Sequence, residues 1–327
     1  MVRRMALAAV ALLVCAGCGG GDGDEGKPPD YATLPPPPAP VIPAQPPEFW
    51  SQAPQNPQQS DAVAQATRQV DVCAVLPRET LATVGQVKSV TVGLDSCRAV
   101  LGNKDVEDTT LTWHATLLPR LGSAGRGVTT QVGAASVRTV PDRDKGEPRA
   151  CGATAFFPAG AAFYIGLSTP GKNPCTVADQ LMPGMVDRWL QSPAQGTSPD
   201  TAPTVLLGAD PCTVRSKLAG AVPDPEQRLT QCLFNYRGEK ITVSYEYRVP
   251  EYLAANSTED HIDGRTVHRS VSVYDSSIPI YTAAVGPELP AESTSFGRRI
   301  PVVEVVSSTD DVGKDVMAQA LTLFPER

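Results

Sequence analysis

Asp71-Val72-Cys73-Ala74-Val75-Leu76-Pro77 and, 139 positions later, Asp210-Pro211-Cys212 are two copies of one opening. Each leads into apolar residues at helical spacing: Val75, Leu76 and Leu81 in the first copy, and Val214, Leu218 and Val222 in the second. Far downstream each copy has a closing amphipathic pattern. Val177, Leu181, Met182 and Trp189 stand 135 positions before Val312, Val316, Met317 and Phe324. Cys97 and Cys232 keep the same offset, so the chain reads as an internal repeat with a four-residue deletion in its second half.

Between the paired helical patterns lie strands. In the first half these are residues 110–118, 135–140, 152–157 and 162–168. In the second they are 229–236, 241–249, 266–274, 279–285 and 301–307. Val243, Tyr245 and Tyr247 alternate with Thr242, Ser244 and Glu246, as on a strand with one buried face. Arg237-Gly238 and Asp263-Gly264 read as hairpin turns. An opening helix, a meander of strands and a closing helix make an α+β domain with a mainly antiparallel sheet. The expectation is therefore two similar disulfide-stapled α+β domains, residues 67–190 and 204–327, joined by a linker at 191–203 (QSPAQGTSPDTAP).

Upstream, Arg3-Arg4, the apolar run Met5 to Val14 and the small residues before Cys18 have the order of a secretory signal over 1–17. The run falls short of the ~20 residues a membrane-spanning helix needs. Ala16-Gly17-Cys18 resembles the end of a bacterial lipobox, which implies a diacylglycerol (and palmitate) anchor on Cys18. Cys15 stands where that motif usually has Leu. The alternatives are an ordinary signal cleaved nearby, or a twin-arginine signal. Residues 18–66, Gly-rich and acidic and then Pro-rich, read as a disordered tether. The expected site is the extracytoplasmic face of a cell membrane.

Six cysteines remain after Cys18, which allows 15 connectivities. The repeat selects among them: Cys73 with Cys97, and Cys212 with Cys232, are equivalent pairs. Cys151 and Cys175 shifted by 135 fall on Gly286 and Asp310, so both are missing together and form the third pair. The spacing does not suit zinc, and no metal or cofactor is expected. The net charge of −7 lacks clustered cations and argues against nucleic acid.

No catalytic signature is present. His114, His261 and His268 have no ligand spacing, and the Gly-x-Ser-x-Gly, P-loop and dinucleotide patterns are missing from the sequence. Asp310-Asp311 reads as a helix start. Residues 259–263 are acidic enough for calcium but read better as a solvated loop. Trp113, Trp189, Tyr245 and Tyr247 would either line a small apolar pocket or pack the core.

The Asp-Pro-Cys opening at 210–212, Asp71-Val72-Cys73-Ala74-Val75-Leu76-Pro77, and Cys232-Leu233-Phe234 resemble a family of actinobacterial lipoproteins catalogued as domain of unknown function 3558. Cys97-Arg98-Ala99 departs from its aromatic two residues after the second Cys. Disulfide-stapled sensor domains of some mycobacterial receptor kinases are a second resemblance. Neither implies a catalytic set. The expected function is a non-enzymatic binding or sensing module of the cell envelope. It would be held to the membrane by its lipid, with an envelope protein or small apolar ligand as partner; the alternative is an envelope hydrolase.

Overall fold

The computed structural model describes residues 45–102, 107–118, 126–143, 146–290 and 297–324. The signal region, Cys18 and the Pro-rich run to residue 44 lie outside the described residues. Order begins well before residue 67, which corrects the extent of the tether. Helices α1 (Pro47–Trp50) and α2 (Pro57–Gln69) occupy its last third. The prolines that suggest a linker serve here as helix starts, because a proline at the first position sacrifices no intrahelical bond. Asn56 caps α2, its side chain accepting from the Gln59 N–H at 2.9 Å. Trp50 is wholly buried beside Trp189 and Phe157, with ring centroids at 5.5 and 6.3 Å. Its indole N–H donates to Ser192 Oγ at 3.0 Å.

Asp71 then caps α3 (Val72–Val75), and α4 (Arg78–Val84) follows. Val75, Leu76 and Leu81 are buried as the spacing predicts. Seven strands come next: β1 (Gln86–Val92), β2 (Ser96–Gly102), β3 (Thr109–Leu117), β4 (Val128–Val132), β5 (Ala135–Pro141), β6 (Ala150–Phe156) and β7 (Ala161–Ser168). Helix α5 (Pro174–Leu190) closes the half and buries Val177, Leu181, Met182 and Trp189.

In the second half Asp210 caps a 3-10 turn, Pro211–Lys217, accepting from the Cys212 N–H at 2.9 Å. Val214 and Leu218 are buried, but Val222 is 58% exposed and begins a strand, so it does not belong to the helical face. The strands are β8 (Val222–Gln227), β9 (Gln231–Tyr236), β10 (Glu239–Arg248), β11 (Thr258–Ile262), β12 (Arg265–Val271), β13 (Pro279–Ala284) and β14 (Ile300–Val306). Helix α6 (Pro250–Ala254) follows β10, and α7 (Asp310–Leu321) closes the second repeat with Val312, Val316 and Met317 buried, while Phe324 is buried just beyond its end.

Both sheets are antiparallel throughout and have one topology. The first runs β1-β2-β3-β7-β6-β5-β4. The second, read from β8, runs β8-β9-β10-β14-β13-β12-β11, the same order. The two domains are thus similar in connectivity as well as in motif. The sequence reading omits five strands, β1, β2, β4, β8 and β11, and all but β2 lie at sheet edges. Natural edges are blunted by proline and charge, which erases the strand signature. β8 contains Pro223 and Pro225, and β11 is the acidic segment expected to be a loop.

The stretch 191–203 is not a free linker. Ser192, Ser198 and Ala202 are buried, and Val70 bridges Ala194. Asp71 is the organiser. Its buried carboxylate accepts from the N–H groups of Cys73 (3.0 Å), Ala74 (3.3 Å) and Ser198 (2.8 Å) and from the Thr201 hydroxyl (2.8 Å).

The three disulfides are Cys73–Cys97, Cys151–Cys175 and Cys212–Cys232, with Cα separations of 5.5, 5.2 and 5.0 Å. The first and third each tie the opening turn to the second strand of its own sheet. The second ties β6 to the first turn of α5. Its counterpart differs from the sequence offset. Cys151 faces Leu167, the penultimate residue of β7, and the same register in the second sheet places Tyr281 opposite Val305. Tyr281, not Gly286, is therefore the structural equivalent of Cys151. The Tyr281 hydroxyl donates to Asp310, which Arg269 also grips at 2.7 and 3.0 Å. Hydrogen bonding from Arg269 and Tyr281 holds Asp310 down to about 2. One repeat fastens its closing helix by a covalent bond, and the other by a charge-assisted hydrogen-bond set at the same place.

The two fastenings are expected to differ in strength. Cys151→Ser with Cys175→Ser should lower stability in urea denaturation by about 3 kcal/mol, as a closed loop of this size predicts. Tyr281→Phe, which leaves Arg269 on Asp310, should cost about 1 kcal/mol. Equal losses would contradict this assignment.

Candidate functional site

The two halves meet along a seam in which each inserts a side chain into the other. Leu229 joins the first core, and Leu94 packs against the second. Arg68, from α2, reaches across with its side chain only 7% exposed. It donates to the carbonyls of Leu229 (2.8 Å) and Arg228 (3.0 Å) and pairs with Asp210 at 3.3 Å. Burial pulls its guanidinium below the ordinary arginine pKa, and Asp210 opposes that pull. Gln69 adds an amide bond to the Gly208 carbonyl at 2.8 Å.

Above this seam opens a cleft of about 350 Å³. One wall is the turn between β1 and β2 with the adjoining strands, and includes Asp95, Arg98 and Thr112. The other is β10 with its flanks, and includes Thr230, Glu246 and Arg299. The turn is tight: the Gly93 N–H donates to the Ser96 carbonyl at 2.7 Å, and a Cβ at Gly93 would strike the Ser96 hydroxyl. The Ala115 N–H donates to the Asp95 carbonyl at 2.8 Å, which pins the turn to the end of β3. A narrow extension of about 20 Å³ runs from Asp95 toward Arg68 and Tyr245.

Asp95 is half-buried, and burial pushes its carboxyl up to about 6, offset only in part by its own backbone N–H. The native protein thus keeps this proton to about pH 6, whereas an unfolded aspartate releases it near 4. Native binds more protons than unfolded across that window, so this residue makes stability fall as pH rises from 4 to 6. Asp95→Asn should remove that slope and raise stability at pH 7.5 by up to about 3 kcal/mol, the size of the shift. Urea denaturation at pH 4.5 and 7.5 measures it; an Asp95→Asn variant less stable than the parent at pH 7.5 would refute the assignment.

Of the aromatic residues singled out in the sequence, Tyr245 and Tyr247 line the cleft, while Trp113 and Trp189 are core. Tyr245 packs edge-on against Phe324 at 5.6 Å, and the Tyr247 hydroxyl bonds Thr204 Oγ1 at 2.8 Å. Trp113 donates to the Val72 carbonyl at 2.7 Å. None of the histidines lines the cleft, although His114 lies opposite Ser96 in the β2–β3 ladder. His114 lies on the outer face of the first sheet, 5.1 Å from the Tyr164 ring, and burial lowers its pKa. That ring lies over Gly152 and Gly166, where a Cβ would approach it to 2.8 and 2.9 Å. His261 is exposed on β11 beside Glu259. His268 Nδ1 is 3.4 Å from Ser257 Oγ, but that hydroxyl donates to the Leu253 carbonyl at 2.6 Å. An activated nucleophile would instead give its proton to the imidazole.

In the segment 259–263, Asp260 is engaged by Lys314 at 2.8 Å. Among the described residues no group of three His, Cys, Asp or Glu side chains is placed to hold a metal ion. No described helix is long and apolar enough to cross a membrane. No family model matches the chain, and neither the curated proteins nor the solved structures contain a match.

Proposed function

We propose that this chain is a lipid-anchored, extracytoplasmic binding protein without catalytic activity, and that the cleft between its repeats receives the ligand. The observation that carries the reading is the cleft itself. It is built by both repeats, it gathers charged and hydroxyl groups, and its two walls are locked by Arg68. Pockets at such junctions are the usual place for small-molecule binding. Three disulfides suit an oxidising compartment, as does the signal-like N-terminus ending at Cys18. The resemblance to tandem actinobacterial lipoprotein domains points the same way. The hydrolase alternative draws on the Ser257–His268 contact, and there the serine proton is directed elsewhere.

Photocrosslinking in intact cells tests the site. A photoreactive residue replacing Thr112, exposed in the cleft, should capture an envelope component. The same residue replacing Thr129, exposed on edge strand β4, should not. Equal capture at both positions, or none at Thr112, would sink the proposal. Mass spectrometry of the mature N-terminus tests the anchor, since an unmodified Cys18 excludes it.

A further inference from the structure

The chemistry of the cleft narrows the class of ligand. Arg98 projects from β2 in register with Thr91 on β1 and Thr112 on β3, and all three line the cleft. Among the described residues Arg98 is in no ion pair; Arg149, Arg188 and Arg215 are likewise in none, but of these four it is Arg98 that lines the cleft, whereas Arg68, Arg78, Arg228, Arg237, Arg248, Arg269 and Arg298 each hold a carboxylate. The acids on the opposite wall do not balance it. Glu246 is already paired with Arg248 at 3.0 Å. Arg299, on the opposite wall, donates to the Tyr247 carbonyl at 3.4 Å. Leu94, half-buried in the turn, supplies an apolar surface beside these groups. What distinguishes Arg98 is its place, an uncommitted guanidinium inside the cleft beside the exposed hydroxyl of Thr112.

Resting on the reading of the cleft as the ligand site, we infer that the ligand is a small organic oxyacid. Its anionic group is held by Arg98 and the hydroxyl of Thr112, and its apolar part lies against Leu94. A guanidinium fork matches both carboxylate and phosphate oxygens, so the shared chemistry is a planar or tetrahedral oxyanion on a short apolar body. The volume of about 350 Å³ suits a small molecule more than a polymer.

Asp95 makes the site sensitive to pH. The charged or titratable groups around it are Arg68 from α2, Arg98 from β2, His114 from β3 opposite Ser96, Tyr245, Glu246 and Tyr247 from β10, and Arg299 ahead of β14. Its carboxyl is pushed up to about 6, so it repels an anion above that pH and not below it. Binding should therefore tighten on acidification.

The test is titration of the full mature chain with hexanoate, hexyl phosphate and the neutral hexanamide, followed by amide NMR. At least one anion should shift residues 91–98 and 245–247 and bind about tenfold or more tightly than hexanamide, as a charge-assisted contact requires. The two anions distinguish a carboxylate ligand from a phosphate one. Arg98→Gln should abolish the preference over hexanamide while leaving the rest of the spectrum unchanged. Binding of hexanesulfonate, whose charge does not change in this range, should be several-fold tighter at pH 5 than at pH 7.5, and Asp95→Asn should flatten that difference. Hexanamide binding in the cleft as tightly as the anions overturns the oxyacid inference and leaves the cleft as the ligand site. If neither anion shifts cleft residues up to about 20 mM, the weakest range worth calling binding, the inference also fails. The binding-site reading is then judged by the Thr112 crosslink alone.

Discussion

Trp50→Ala is expected to destabilise the protein by about 3–5 kcal/mol, the cost of emptying a fully buried indole site. Trp50 touches Phe49, Phe157 and Trp189, bonds Ser192, and accepts at its carbonyl from the Ala159 N–H at 3.1 Å. Its loss would open a cavity among aromatic rings that have no means of collapsing into it. For a chain of this size the effect amounts to a fall in Tm of roughly 5–8 °C. Tyr252→Ala is the control, since that side chain is 73% exposed on α6 and should change stability by under about 0.5 kcal/mol. Thermal unfolding of both variants measures the contrast. Comparable small shifts would mean that residues 45–66 are a tether after all.

The second large effect belongs to Asp71. Asp71→Ala removes the acceptor of four hydrogen bonds at once and strands the buried amides of Cys73 and Ser198. Each unsatisfied buried donor costs about 1–3 kcal/mol, so the total should reach about 3–5 kcal/mol. Asp71→Asn keeps the shape and one carbonyl oxygen but turns a donor toward the Ser198 N–H, and should cost about half as much. The two variants compared by urea unfolding separate the acceptor role from mere volume. If Ala and Asn cost the same, the network is not what holds the 191–203 segment down.

Much of this was legible in the sequence, and the misses have physical reasons. The Asp-x-Cys openings announced both capped turns, because a short carboxylate and a following amide two residues on are a purely local matter. The cysteine pairing followed from the repeat, since loss of one bridge removes two residues together. Trp50 was missed because proline content in its neighbourhood resembles a linker, while a single buried ring decides otherwise. Edge strands β8 and β11 were hidden by the prolines and charges that keep edges from pairing. The cleft was the least legible feature. Asp95 and Arg98 are ordinary residues in sequence, and only the packing of one half on the other leaves the first half-buried and the second without an anion. Tyr245 and Tyr247 were singled out as pocket-lining candidates and do line it, but by their position on β10 and not through any pocket motif.

The strand order carries a consequence for how the chain becomes a protein. In each sheet the last strand made, β7 or β14, sits in the centre between the third and the sixth. Until it arrives, a repeat consists of two separate three-stranded ribbons, each with an unpaired edge facing the other. The final strand acts as a keystone: it satisfies both edges in one step and brings its closing helix directly behind it. A chain interrupted before residue 300 would therefore hold one finished repeat and two sticky ribbons, a product suited to aggregation or to capture by a chaperone. Completion of each repeat is deferred to its last forty residues or fewer, so folding lags synthesis by nearly a whole domain.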